Sequence, residues 1–249
     1  MTGSLVIAGL GPGAAELVTP QVSLALQEAT DVVGYGSYVE RVPPHPNQVR
    51  HISDNREELD RARHALQLAA AGRKVAVVSS GDAGVFAMAS ALYEALESGD
   101  PAWRSLDIRV LPGISAMLAA SARVGAPLGH DFCCINLSDN LKPWDLIEKR
   151  LRLAADADFA MALYNPRSKA RPEGFARALK VLLEACGPER VMIFARAVST
   201  PEEQVLITTL ADSKPEMADM RTLVMVGSSL TRVIDRNGQA WAYTPRSTA

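Results

Sequence analysis

The sequence predicts an α/β fold in two halves, with a largely parallel sheet in the first and a mixed sheet in the second. Three observations carry that expectation. Short apolar, β-branched runs such as Leu5-Val-Ile-Ala8 and Val75-Ala-Val-Val78 lack polar alternation, as strands covered on both faces do. Strand and helix patterns alternate up to about residue 112, which implies parallel strands joined by helices. The pattern then restarts and closes on two strand-like runs with little helix between them, so strand directions there are mixed. The expected domains are residues 1–112 and 113–249.

In chain order, Ser4 to Gly9 reads as the first strand. Gly9-Leu-Gly-Pro-Gly13-Ala14 follows it and formally fits the dinucleotide fingerprint. Its context argues otherwise: the helix start, Thr19 with Pro20 at the first helical position, comes several residues later, and Pro12 removes an amide that phosphate would need. Gly11, Pro12 and Gly13 are better read as a tight loop over which something large can lie. Asp31 to Gly34 is a second strand, followed by Tyr35 and Tyr38 beside two glycines, a surface for a flat ligand or simple loop packing. Pro43, Pro44 and Pro46 make a stiff loop. Asn55 to Gly72 reads as a helix, with Leu59, Ala62, Leu66 and Ala69 inward and Arg56, Arg61, Arg63 and Arg73 on a solvated side.

The next strand, from Val75, ends in Ser79-Ser-Gly-Asp82, where small residues allow close approach to the backbone and Asp82 is the one fixed charge. In open α/β sheets that end of a strand is where ligands sit. Phe86 to Glu97 is the returning helix. Asp107 to Leu111 is a strand that stops at Pro112-Gly-Ile-Ser-Ala116, a second loop of the same design, with Met117 to Val124 helical behind it. The second half reads as strand Phe132 to Leu137, helix Pro143 to Ala155, strand Phe159 to Tyr164, helix Pro172 to Cys186, then strands Val191 to Ala195, Gln204 to Leu210 and Leu223 to Val226. Its loops at Tyr164-Asn-Pro-Arg-Ser168, Arg196 to Glu203 and Val226 to Ser229 join the earlier ones as the walls expected of a cleft between two domains.

Composition narrows the function. Of 249 residues, 48% are hydrophobic and 5% aromatic, so the core is aliphatic. Lys and Arg number 26 against 28 Asp and Glu, without the basic excess expected of a nucleic-acid binder. No apolar run reaches the roughly 20 residues that span a bilayer, and the expectation is a cytoplasmic protein without membrane or nucleic-acid partners. Cys133 and Cys134 are neighbours on a strand and point to opposite faces, Cys186 stands alone, and the four histidines are scattered, so no metal site is expected.

The loops Gly9 to Gly13 with Leu17 and Thr19, Ser80-Gly-Asp82, Pro112 to Ala116, Leu163-Tyr-Asn-Pro166, Arg196 to Glu203 and Val226-Gly227 resemble, in this order and over nearly the whole chain, the tetrapyrrole methylases, which use S-adenosylmethionine. Val33 to Tyr38, Ser79 to Gly84, Gly125 to Asp131 and Leu137 to Trp144 resemble the ring-contracting branch of the corrin pathway. Ala83 stands where most of the family has proline. The resemblance implies the two-domain fold of that family with its active site in the cleft, a homodimer, and methylation of a precorrin carbon with contraction of the macrocycle.

It further implies that Gly81, Asp82 and Val85 hold the amino-acid part of S-adenosylmethionine, Ser115 and Ala116 the methionine and ribose, and Tyr164, Asn165, Ala197 and Val198 the adenine. Ring contraction needs a general acid or base, for which Asp82, His130 and Asp139 are the candidates. The substrate would meet Gly11, Pro12, Gly13 and Tyr35, and its carboxylates Arg56, Arg167 and Arg196. The rival readings are another methylase of the family acting on a different precorrin or cobalt-precorrin carbon or on ribosomal RNA, a nicotinamide-dependent dehydrogenase built on Gly9 to Ala14, and a non-catalytic metabolite sensor.

Overall fold

The computed structural model describes residues 3–54 and 57–247. The chain divides into two compact units, Met1–Ala116 and Met117–Ala249. The first contains β1 (Ser4–Gly9), α1 (Pro20–Glu28), β2 (Asp31–Tyr35), α2 (Gly36–Val39), β3 (Val49–Ser53), α3 (Glu58–Ala70), β4 (Lys74–Ser79), α4 (Met88–Ser98) and β5 (Asp107–Leu111). Its sheet runs β3-β2-β4-β1-β5 and every pairing in it is parallel.

The period of two along each strand divides the core. Leu5 and Ile7 face α3 and α4 with Leu66 and Leu92, while Val6 and Ala8 face α1 with Val22 and Leu26. Because all five strands point the same way, Gly9, Tyr35, Ser53, Ser79 and Leu111 come to one end of the sheet.

The second unit is built from α5 (Ala116–Val124), which begins at the boundary, β6 (Gly125–Ala126), β7 (Phe132–Asn136), α6 (Trp144–Asp156), β8 (Ala160–Tyr164), α7 (Gly174–Cys186), β9 (Val191–Arg196), β10 (Gln204–Thr209), β11 (Thr222–Val226), β12 (Arg232–Arg236) and β13 (Gln239–Tyr243). Its main sheet runs β10-β9-β11-β8-β7; β7 and β8 are parallel and the other pairings antiparallel. Ile147, Leu151, Phe175 and Leu182 of α6 and α7 cover one face, and Ala120 and Val124 of α5 the other. The hairpin β12–β13 pairs with β6 in a small separate sheet.

Several expectations are corrected here. The stretch Val49–Ser53, to which the sequence assigned no element, is a parallel edge strand. The helix expected from Asn55 starts at Glu58, with Asn55 and Arg56 outside the described residues. Arg61 does not lie on a solvated side: it is 4% exposed and donates to Ser53 Oγ, the Asp54 carbonyl and Met88 Sδ, whereas Leu59 is exposed. The helix expected from Phe86 begins at Met88, whose amide is capped by Ser79 Oγ at 3.3 Å. The hairpin, turned by Asn237 and Gly238 at φ 57° and 77°, extends the sheet content beyond the last expected strand. Asn-Gly is the strongest short-range hairpin signal.

Candidate functional site

At the carboxyl end of the first unit's sheet, three glycines allow the backbone segments to meet. Gly11 and Gly81 exchange amide-to-carbonyl bonds of 3.0 and 2.9 Å, both with φ near 65°. A Cβ on Gly113 would stand 2.2 Å from the Gly81 carbonyl oxygen, so only glycine fits that crossing. Asp82 clamps the assembly, its Oδ1 accepting from the Gly84 amide at 2.8 Å and its Oδ2 from the Gly113 amide at 3.0 Å. The carboxylate therefore orders its own loop and ties it to the loop of Ser115 and Ala116.

Arg41 was missing from the sequence expectations. Its guanidinium donates to the Leu10 carbonyl at 2.6 Å, the Gly11 carbonyl at 3.1 Å and Ser80 Oγ at 3.3 Å, bracing the loop of Gly11, Pro12 and Gly13. Burial lowers its pKa, with Tyr38 opposing. Arg61 braces the end of β3 in the same way, and its spacing of four and eight residues from Ala65 and Ala69 placed it on the apolar stripe. Tyr35 packs edge-on against Tyr38, ring centroids 5.4 Å apart. Ser115 is buried, while Val85 and Ala116 are partly exposed.

In the second unit, β7, β8 and β9 deliver their carboxyl ends to one end of the sheet. Asn165 has φ 52° and donates from Nδ2 to Asn136 Oδ1 at 3.1 Å. Tyr164 accepts the Met117 amide on its hydroxyl at 3.2 Å. Ala197 has φ 48°, its amide donating to the Arg221 carbonyl at 2.9 Å, and Val198 beside it is buried. Arg196 is already paired, its Nε 2.8 Å from Asp219 Oδ2. Arg167 lies in the loop after β8.

The structure separates two acid–base candidates that the sequence had left side by side. His130 precedes β7, its Nδ1 accepting the Asp131 amide at 2.7 Å, while Asp139 follows β7 at the end shared with Asn165. Strand direction also removes the loop Val226 to Ser229 from that end: β11 runs against β8 and β9, so Val226 pairs with Met161 and Met192 at their amino ends. Ser229 there caps Asp158.

The thiols of Cys133, Cys134 and Cys186 are pushed up by burial, that of Cys133 to about 11, as suits packing groups and not thiolate ligands. Among the described residues no group of three or more His, Cys, Asp or Glu could hold a metal ion. Nor is any described helix long and apolar enough to cross a membrane. The Gly9 to Gly13 loop leads into a single 3-10 turn, and α1 starts only at Pro20 with Thr19 as its cap, so these glycines do not open a helix onto a pyrophosphate.

The model of the family of tetrapyrrole (corrin/porphyrin) methylases matches residues 4–213. The chain belongs to the tetrapyrrole methylases. A relative from Sinorhizobium sp, precorrin-3B C(17)-methyltransferase, is 50% identical over 247 residues, covering 99% of this chain and 97% of the relative. The crystal structure of the methyltransferase CobJ superposes with a TM-score of 0.93 at 60% identity, covering 98% of this chain and all of the other. A uroporphyrin-III C-methyltransferase from Thermus thermophilus, solved with S-adenosylhomocysteine, shares the fold of these methylases at a TM-score of 0.71 and 22% identity, covering 90% and 97% of the two chains.

Proposed function

We propose that this methylase transfers the methyl group of S-adenosylmethionine to C-17 of precorrin-3B, in the step that contracts the macrocycle during cobalamin biosynthesis. The observation that carries the reading is the 50% identity to a precorrin-3B C(17)-methyltransferase, sustained over nearly the full length of both chains. By the same resemblance, the proposal extends to a cytoplasmic homodimer.

The residues fit the methyl donor. The close crossing of Gly113 with the Gly81 carbonyl, which a side chain on Gly113 would break, and the clamp through Asp82 fix that backbone before anything binds. We assign Gly81, Asp82, Val85, Ser115 and Ala116 to the methionine and ribose, and the backbone at Tyr164, Asn165, Ala197 and Val198 to the adenine edge. The sulfonium, when bound, supplies an electrophilic methyl group with its own leaving group. The protein's share is to hold the acceptor carbon in line and to exclude water. Tyr35 and the loop Gly11 to Gly13, stiffened by Arg41, present a rigid surface to a flat substrate.

Proton transfer for ring contraction falls to Asp82 or Asp139. His130 stands at the other end of β7 from Asp139, roughly 15 Å of extended strand away.

Calorimetric titration with S-adenosylhomocysteine, with NADH as the control, tests the reading. Wild type binds the former saturably and not the latter, and Asp82→Asn, which loses an anionic acceptor from the clamp, binds about tenfold more weakly. Binding of NADH alone, or equal affinity in the variant, rejects the assignment. Incubating wild type with precorrin-3B and the methyl donor then yields a product carrying one added methyl group.

A further inference from the structure

The loops that follow β7 and β8 hold more positive charge than they neutralise. Lys142 lies close to Arg171 and to Arg150 on α6: burial lowers its ammonium pKa, Arg150 and Arg171 lower it further, and Asp139 opposes them. Among the described residues its amine reaches only the Ser138 carbonyl, at 3.0 Å. The Arg171 side chain is 13% exposed, and among the described residues its contacts are long, 3.4 Å to the Leu137 carbonyl, 3.5 Å to the Asn165 carbonyl and 3.9 Å to Asp139 Oδ1. Two more donors, Arg167 Nε in the loop after β8 and Trp144 Nε1 at the start of α6, are buried with no hydrogen-bond partner among the described residues.

Buried cations and donors are ordinarily paired, because removing them from water without a partner costs several kcal/mol. Here Lys142 and Arg171 share one half-exposed carboxylate, Asp139, and Arg167 Nε stands orphaned in the loop after β8. The missing partner is an anion. Two guanidiniums and an ammonium suit a carboxylate, which accepts charge-assisted bonds from both kinds of donor.

We propose that Lys142 and Arg171, together with Arg167, form a subsite that receives an acidic side chain of the tetrapyrrole substrate. The inference rests on the methyltransferase reading above. It also gives Lys142 a use within the segment Leu137 to Trp144, where the resemblance named only Asp139. Lys142 and Arg171 act on substrate position.

Steady-state kinetics with precorrin-3B, thermal melting and S-adenosylhomocysteine titration are compared in wild type, Lys142→Gln, Lys142→Arg and Arg171→Gln. Lys142→Gln raises KM for precorrin-3B about tenfold, the loss of one charge-assisted bond, with kcat within about twofold and the S-adenosylhomocysteine affinity unchanged. Lys142→Arg restores most of the KM, and the salt dependence of KM flattens in Lys142→Gln. Should Arg171→Gln melt early because its bracing of two carbonyls is lost, the double variant Lys142→Gln, Arg150→Gln replaces it. An unchanged KM in folded variants, with wild type turning over normally, overturns the subsite and leaves the methyltransferase reading standing. Failure of wild type to methylate precorrin-3B rejects that reading, and the subsite with it.

Discussion

At Phe86, Asn165, Ala197 and Ser199 the backbone takes φ values of 51°, 52°, 48° and 65°, in the region where a Cβ crowds the following carbonyl. All four lie in loops assigned to ligand binding or beside them, and none is a glycine. Such conformations persist only where the surroundings hold them; Ala197 is held by its amide bond to the Arg221 carbonyl and by Thr200, which donates to the Ala197 carbonyl from its amide and its hydroxyl. Replacing Ala197 by Gly therefore raises the urea midpoint, by about 1 kcal/mol of stability after the extra freedom of the unfolded chain is counted. Replacement by Val lowers it. Asn165 and Ala197 were legible in the sequence as residues of short loops at strand ends, whereas Phe86 reads there as the start of a helix. Arg41 and Arg61 were not legible, since an arginine reads as surface until the carbonyls and hydroxyl it braces are brought to it by distant strands.

Parallel strands make the candidate ligand end of the first unit. Each strand of that sheet contributes its carboxyl end, so one glycine or serine per loop suffices to bring Gly9, Gly81 and Gly113 into contact. The crossing has no room for a methyl group. Gly113→Ala places a Cβ 2.2 Å from one backbone oxygen and 2.6 Å from another, and is expected to cost about 2 kcal/mol in unfolding measurements and to abolish S-adenosylhomocysteine binding by calorimetry. In the second unit the same inference from sequence failed once, at Val226 to Ser229. A loop of small residues after a strand marks a ligand end only if the strand points that way, and β11 is antiparallel to its neighbours. Strand direction is a property of pairing, which no run of residues encodes locally.

A hydrogen-bonded chain centred on the buried Asp31 ties the first unit together at the opposite end of the sheet from the candidate ligand loops. Asp31, 2% exposed, accepts from Arg73 at 2.7 Å, from Thr30 at 2.6 Å and from His51 at 3.0 Å, and His51 Nδ1 meets His64 Nε2 at 3.0 Å. Burial pushes the Asp31 carboxyl up, but its bonds to Arg73, Thr30 and His51 outweigh that and hold it below the ordinary 3.8. Its contribution is present above that value and is lost as pH falls through the lower folded value. Burial and then His51 lower the His64 pKa below 6.5, against Asp31. The unfolded chain binds that proton more readily, so stability is full above 6.5 and declines as pH drops below it, until folded His64 also protonates. Urea midpoints measured at about pH 5.5 and about pH 7.5 are expected to show the lower stability at the acidic value, and His64→Gln to reduce the difference.

For the molecule as a whole, the sequence by itself determined the alternation of strands and helices, the parallel first sheet and the mixed second one, and the short glycine and serine loops that mark the family. These are local: each rests on hydrophobic period, helix caps and residues too small to obstruct a backbone. Only the tertiary structure decided which loops share an end of a sheet, that Asp82 clamps two amides, that His130 and Asp139 lie apart, and that Lys142 and Arg171 both lie beside Asp139. Those facts depend on strand order and direction, which bring together residues tens of positions apart in the chain. Electrostatic and hydrogen-bond energies are set by those distances and not by separation along the sequence.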